Sequence, residues 1–154
     1  MIQFVYKPIG LLLPGARFAV SICYESLWPG FFRPALFDGA EFLVNLTNDI
    51  WLGHTSGPWS HLQAAVIRAV ESRRWLVRAA NSGVSAVIAP TGELVAHSEL
   101  STMTTIYERI GLRQEQTFYS RWGDWFVLIC LGGVGLKTIA SLWLRTLRLQ
   151  SCQG

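Results

Sequence analysis

Residues 125–144 limit the possible folds most: twenty residues from Trp125 to Leu144 in which Lys137 is the one charge. A helix of that length rises about 30 Å, the thickness of a bilayer's hydrocarbon core. Tyr119 and Trp122 precede the run, Trp125 and Trp143 stand near its ends, and Arg145 and Arg148 follow. Interfacial aromatics and trailing cations are the anchors of a membrane span, and the positive-inside bias places its C-terminal end in the cytoplasm. The preceding body then faces outward. A buried helix of a soluble protein is the alternative, and Lys137 favours it, since a mid-span lysine costs about 2.5–3.5 kcal/mol. The other nineteen residues carry no charge, however, and Lys137 lies near enough to the cytoplasmic end to snorkel. A transmembrane helix is therefore expected.

Composition narrows what the rest can be. Hydrophobic residues make up 51% and charged residues 15%, which excludes a disordered chain. A net charge of +3 without a basic run before the last dozen residues excludes a nucleic-acid binder. Cys23, Cys130 and Cys152 form neither a CxxC motif nor a cluster with His54, His61 or His97, so no metal or cofactor is expected. The first fifteen residues lack a basic n-region and a cleavage site, and Pro8, Gly10, Pro14 and Gly15 break any helix there.

Between these ends the pattern is α/β. Residues 17–22 (RFAVSI) and 41–46 (EFLVNL) suit buried strands, and 28–38 has room for a helix of two to three turns, made irregular by Pro34. Strand, helix and strand predict a parallel βαβ unit. After a polar loop at 47–58, Ser60 is placed to cap a helix running to about Arg74, with Leu62, Ala65, Val66, Ala69 and Val70 on one stripe. Residues 75–80 and 84–89 read as strands joined at Asn81-Ser82-Gly83, with Gly83 supplying a positive φ. A turn at 90–93 leads to an antiparallel strand at 94–97, and 102–110 alternates well enough for one more.

Cys23 stands where the first buried strand gives way to helix, in Ile22-Cys23-Tyr24-Glu25. Reactive groups of open α/β folds gather at the carboxyl ends of strands. Helix N–H dipoles there favour thiolate, and backbone N–H groups can hold an oxyanion. A buried cysteine serving as a small hydrophobe is the plainer alternative. Glu25 can orient a partner or accept a proton.

Cys23-Tyr24-Glu25 after an apolar strand resembles the nucleophile segment of the nitrilase (carbon–nitrogen hydrolase) superfamily, and more closely that of the apolipoprotein N-acyltransferase family. Asn45-Leu46-Thr47-Asn48-Asp49-Ile50-Trp51-Leu52-Gly53 is similar to that family's loop after the next strand. Gly57-Pro58 with His61-Leu62-Gln63-Ala64-Ala65 and Arg68-Ala69-Val70-Glu71 is similar to its following helix. Arg78-Ala79-Ala80-Asn81-Ser82-Gly83-Val84-Ser85-Ala86 resembles its strand pair, and Thr117-Phe118-Tyr119-Ser120-Arg121-Trp122-Gly123-Asp124-Trp125 the junction into its last membrane helix. The resemblance runs in order over about 16–144.

It implies a partial nitrilase-like α-β-β-α sandwich over 1–118, a membrane junction and helix over 119–146, and a short tail over 147–154. It implies transfer of a fatty acyl group from a phospholipid to the amino group of a lipoprotein's diacylglyceryl-cysteine, through a thioester on Cys23. The setting would be the bacterial inner membrane, with the catalytic domain facing the periplasm. Tyr24 and Glu25 would belong to the site, and Asn48, Asp49 and Trp51 would shape the acyl pocket or form an Asx-type loop. His61 reads as a helix-start residue and not as a base. Cys130 and Cys152 carry no role.

The superfamily's Glu base and oxyanion Lys lie upstream of the cysteine. Here no acidic residue precedes Cys23, and Lys7, the one upstream lysine, stands too close to it. The chain is therefore expected to be a C-terminal piece, without catalytic competence by itself, whose sheet exposes a face toward a missing N-terminal half. Two other functions fit parts of the pattern: a soluble nitrilase-type amidase, for which 125–144 has no use, and a non-catalytic membrane-tethered module.

Overall fold

The computed structural model describes residues 10–13 and 15–151, with side chains left out at 10–13, 142 and 144–151. Lys7 and Cys152 lie outside the described residues, as do the side chains of Arg145 and Arg148. Two compact units form, 1–121 and 122–154.

The first unit is built on a six-stranded mixed sheet whose order follows the sequence: β1 (Gly10–Leu13), β2 (Ala16–Ile22), β3 (Phe42–Asn48), β4 (Leu76–Asn81), β5 (Ala86–Ile88) and β6 (Leu94–His97). β2, β3 and β4 are parallel, and the other pairings are antiparallel. The expected βαβ unit is present. Its helix is far shorter than expected, because α1 covers only Arg33–Phe37. Gly30 turns the chain at a φ of +76° after Pro29, and Pro34 is tolerated only in a helix's first turn, so turns occupy 28–32.

The helix expected from Ser60 starts earlier. α2 spans Gly57–Ser72 with Pro58 in its first turn, and Ser56 at the N-cap makes no side-chain capping bond. Arg73 closes the helix in the left-handed conformation. Leu62, Ala65 and Ala69 of the predicted stripe pack with Ala35 and Leu36 of α1 on Ala19, Leu43, Leu76, Ala86 and Ile88 of the sheet. Val70 stays 37% exposed.

The strand expected at 102–110 does not form; 102–117 is an extended strap. The strap is tied down by single bonds in place of a ladder. Arg113 N donates to Glu41 O at 3.2 Å, the buried Arg74 guanidinium to Glu115 O at 2.5 Å, and Thr117 Oγ1 to Glu71 O at 2.5 Å. Gly83 corrects a second expectation: the positive φ of that turn belongs to Ser82, at +59°.

Strand side chains alternate between faces, and α1 and α2 cover one face only. On the other, Phe18 stacks on Phe42 at 5.1 Å, Val20, Val44 and Val77 share a row and stay half-buried, and Ile22 and Leu46 are 55% and 46% exposed. A sheet apolar on both faces is the pattern of strands covered from both sides.

α3 (Phe118–Trp122) leads to α4 (Trp125–Ser151), a helix of 27 residues that includes the whole of 125–144. Phe126, Leu128, Leu131, Val134, Leu136 and Ile139 are each more than 60% exposed. Among the described residues no helix is long and apolar enough to cross a membrane, so the span itself stays an expectation from the sequence.

Candidate active site

Cys23 follows the last residue of β2 and opens a 3₁₀ turn, Cys23–Leu27. Its φ is +53°, in the left-handed region that costs a non-glycine residue about 1–2 kcal/mol. The thiol is half-buried, not sealed in the core. Strain of this size persists only where surrounding bonds over-determine it.

Those bonds converge on the Cys23 carbonyl. Ser26 Oγ donates to it at 3.1 Å, Asn45 Nδ2 at 3.4 Å, and His61 Nε2 lies 3.2 Å away. Glu25 secures the other side of the elbow, since its carboxylate accepts the Ile22 N–H at 2.7 Å. One oxygen of Glu25 is thus already engaged with backbone.

Beneath the elbow lies a buried polar row. Ser21, Asn45 and Arg78 are register partners across β2, β3 and β4, all on the helix-covered face. Asn45 Nδ2 donates to Ser21 Oγ at 2.9 Å, and Arg78 Nη1 donates to Asn45 Oδ1. Arg78 Nη2 pairs with Asp49 Oδ2 at 2.8 Å, both side chains fully buried. Burial draws the Arg78 pKa down and Asp49 opposes that shift. The other oxygen of Asp49 accepts from Thr47 Oγ1 at 2.9 Å and faces His61 Nδ1 at 2.9 Å. Gly83 packs against this carboxylate so tightly that a Cβ there would sit 2.3 Å from Asp49 Oδ2.

The structure therefore separates the predicted site residues. Cys23, Tyr24 and Glu25 form the elbow. Asp49 is buried among polar partners. Asn48 makes the Asx-type turn, its Oδ1 accepting the Ile50 N–H at 3.2 Å. Trp51 is anchored by its indole N–H to Asn48 O at 2.9 Å, and its ring meets Tyr24 at 5.2 Å. Tyr24 also stacks on His61 at 5.0 Å. Desolvation, then the nearness of Cys23 and Asp49, push the Tyr24 phenol's pKa up, which keeps it protonated. His61 lies near the start of α2 and is 3% exposed, buried beneath the elbow. Asn45 and Arg78, unremarked as site residues in the sequence, carried a signal: polar side chains inside FLVNLTN and LVRAAN.

Exposed apolar groups crowd the same carboxyl ends of the strands. Trp28, Ile50 and Trp51 are 70%, 62% and 59% exposed, beside Ile22 and Leu46. Among the described residues no group of three or more His, Cys, Asp or Glu could hold a metal ion.

Residues 4–118 match the carbon–nitrogen hydrolase family. The chain belongs to that family. Similar carbon–nitrogen hydrolase relatives include an apolipoprotein N-acyltransferase of Geobacter metallireducens, 34% identical over 149 residues that cover 88% of this chain and 29% of the relative. Another, from Nostoc sp., is 40% identical over 121 residues, 77% of this chain and 24% of the relative. The chain thus spans about a quarter of the length of these curated relatives. Among solved structures, the amidase from Nesterenkonia sp. AN1 superposes with a TM-score of 0.50 at 24% identity, over 64% of this chain and 40% of that one. That mutant amidase carries a covalent acetamide moiety at its active site cysteine. At this identity the likeness speaks for the nitrilase-type fold alone.

Proposed function

We propose that this chain carries the nucleophile segment of an N-acyltransferase of lipoprotein maturation. Cys23 takes a fatty acyl group from a phospholipid as a thioester and passes it to the amino group of a diacylglyceryl-cysteine. The observation that carries this is the half-buried thiol on a strained elbow at the carboxyl end of a parallel strand. Nucleophiles need such exposure and fixed aim. Similarity to the N-acyltransferases favours this chemistry over hydrolysis of a small amide, and the exposed Ile22, Trp28, Ile50 and Trp51 suit a lipid substrate better than a small polar one.

A base takes the Cys23 proton, the thiolate attacks the ester carbonyl, and the tetrahedral intermediate expels the glycerol oxygen, which receives that proton. The lipoprotein amine then attacks the thioester, gives a proton to the base and displaces the thiolate, leaving an amide. Tyr24 and Glu25 hold the elbow and flank the acyl group, with Trp51 beside Tyr24. Asn48 and Asp49 act behind them. The base and the oxyanion cation come from residues other than Tyr24, Glu25 and Asp49, and the apolar open face of the sheet would receive a further layer bearing them. α4 tethers the chain to the bacterial inner membrane, with the catalytic domain on the periplasmic side and the Arg145 end in the cytoplasm.

The test is labelling of this chain, joined to the layer that supplies the base and the cation, with a phospholipid that bears an alkyne-tagged acyl chain. A hydroxylamine-sensitive label on Cys23, absent in Cys23→Ala and released by a diacylglyceryl-cysteine peptide, is the expected result. Labelling by a small reactive amide but never by phospholipid would establish the amidase alternative. No label from either would leave a non-catalytic membrane-tethered module. Extraction of the expressed chain from membranes by alkaline carbonate would refute the role of α4.

A further inference from the structure

The ring of His61 faces a hydrogen-bond acceptor at each nitrogen. Nδ1 lies 2.9 Å from Asp49 Oδ1 and Nε2 lies 3.2 Å from the Cys23 carbonyl oxygen. A carbonyl oxygen only accepts. Asp49 also receives Arg78 Nη2 and Thr47 Oγ1, so it too accepts. An imidazole N–H aimed at either oxygen donates to it, and Nε2 is the nitrogen that reaches the elbow. Tyr24 stacks on the ring at 13° between planes. Asp49 just past β3 and Arg78 of β4, with Tyr24 and Cys23 from the 3₁₀ turn, are the titratable or charged groups that face the ring among the described residues.

We infer that His61 is a positioning residue for the nucleophile: clamped by the Arg78-paired Asp49, it donates from Nε2 to the Cys23 carbonyl and holds the left-handed elbow that presents the thiol. This rests on the assignment of Cys23 as the nucleophile and deepens it. The strained backbone at Cys23 and the fully buried ion pair then serve one purpose, since breaking either end frees the elbow.

Two variants separate the two ends of the ring. In His61→Gln the amide nitrogen takes the place of Nε2 and can still reach the Cys23 carbonyl; in His61→Asn it takes the place of Nδ1 and reaches only Asp49. Both are made in the full chain in detergent, with Cys130 and Cys152 changed to Ser, and the rate of Cys23 alkylation by iodoacetamide is measured. His61→Asn should slow alkylation by roughly tenfold, the scale of one lost hydrogen bond, and His61→Gln should restore most of the rate. Equal slowing, no slowing or the reverse order overturns the inference. Should both variants unfold, long-range ¹H–¹⁵N spectra of the unaltered chain decide: a proton on Nε2 of His61 supports it, and a ring protonated on Nδ1 alone refutes it. If Cys23 of the unaltered chain reacts no faster than free cysteine, the nucleophile assignment fails, and His61 with it. A fast Cys23 indifferent to both variants sinks the role of His61 alone.

Discussion

Gly83→Ala should damage this protein although it adds one methyl group in a turn. Gly83 does not adopt a positive φ, so backbone strain is no part of the reason. At such a position the usual effect of Gly→Ala is stabilising, by about 0.4–1 kcal/mol, through the unfolded chain. Here the new Cβ would stand 2.3 Å from Asp49 Oδ2 and 2.9 Å from Asp49 Cβ and Cγ. Asp49 cannot swing aside cheaply, because it is 1% exposed and held by Arg78, Thr47 and His61. Overpacking alone costs about 1–3 kcal/mol, and breaking a buried pair costs about 3–5 kcal/mol. The loss should therefore fall between about 2 and 5 kcal/mol, a large part of a domain's typical stability of about 5–15 kcal/mol. Urea unfolding followed by near-ultraviolet circular dichroism measures it. A variant as stable as the parent, or more stable, would refute the claim that this turn is glycine because of the carboxylate behind it.

Cys23→Gly should be more stable than Cys23→Ala by about 1 kcal/mol, reversing the usual order, because only glycine adopts φ +53° without cost; thermal unfolding of the pair reads this. Arg78→Met should cost about 3–5 kcal/mol, since it strands the Asp49 carboxylate in the core, and Asp49→Asn in the same chain should recover part of that loss. Glu41 has its pKa lowered by the Arg17 N–H and by Gln114, so its contribution to stability is full above pH 4.5 and is lost as pH falls through the folded value. Gln114→Ala should move the Glu41 titration upward toward 4.5, seen by carboxyl ¹³C shifts, and an unchanged titration would contradict the bond.

Much of the sheet was legible because burial fixes period. RFAVSI and EFLVNL lie within a residue or two of β2 and β3, and the α2 stripe packs as its spacing requires. The failures are local and have causes. The helix expected at 28–38 shrank because two prolines and Gly30 interrupt it. The strand expected at 102–110 alternates in sequence but lacks a partner, and Arg74, whose side chain secures the strap, stands 41 residues from Glu115. His61 stands near a helix start as expected, but its burial was not legible, because nothing local says that Asp49 waits beside it. Gly83 was assigned the right turn for the wrong reason, because the constraint comes from a side chain 34 residues earlier.

Several departures from ordinary folding rules gather in one place. A non-glycine residue in left-handed backbone, an ion pair with both side chains fully buried, polar Asn45 and Arg78 inside apolar strands, and exposed Trp28, Ile50 and Trp51 all lie at or just below the carboxyl ends of β2, β3 and β4. Each by itself costs stability, and a buried ion pair is often less stable than a hydrophobic replacement. At the amino ends of the same strands the left-handed Arg73 and the fully buried Arg74 have a different task, ending α2 and securing the strap. Physical chemistry supplies a reason for such costs to collect in one place when they hold a reactive group in a conformation it would otherwise leave. The group they hold is the Cys23 backbone, and the half-buried side chain aimed by that backbone is a thiol.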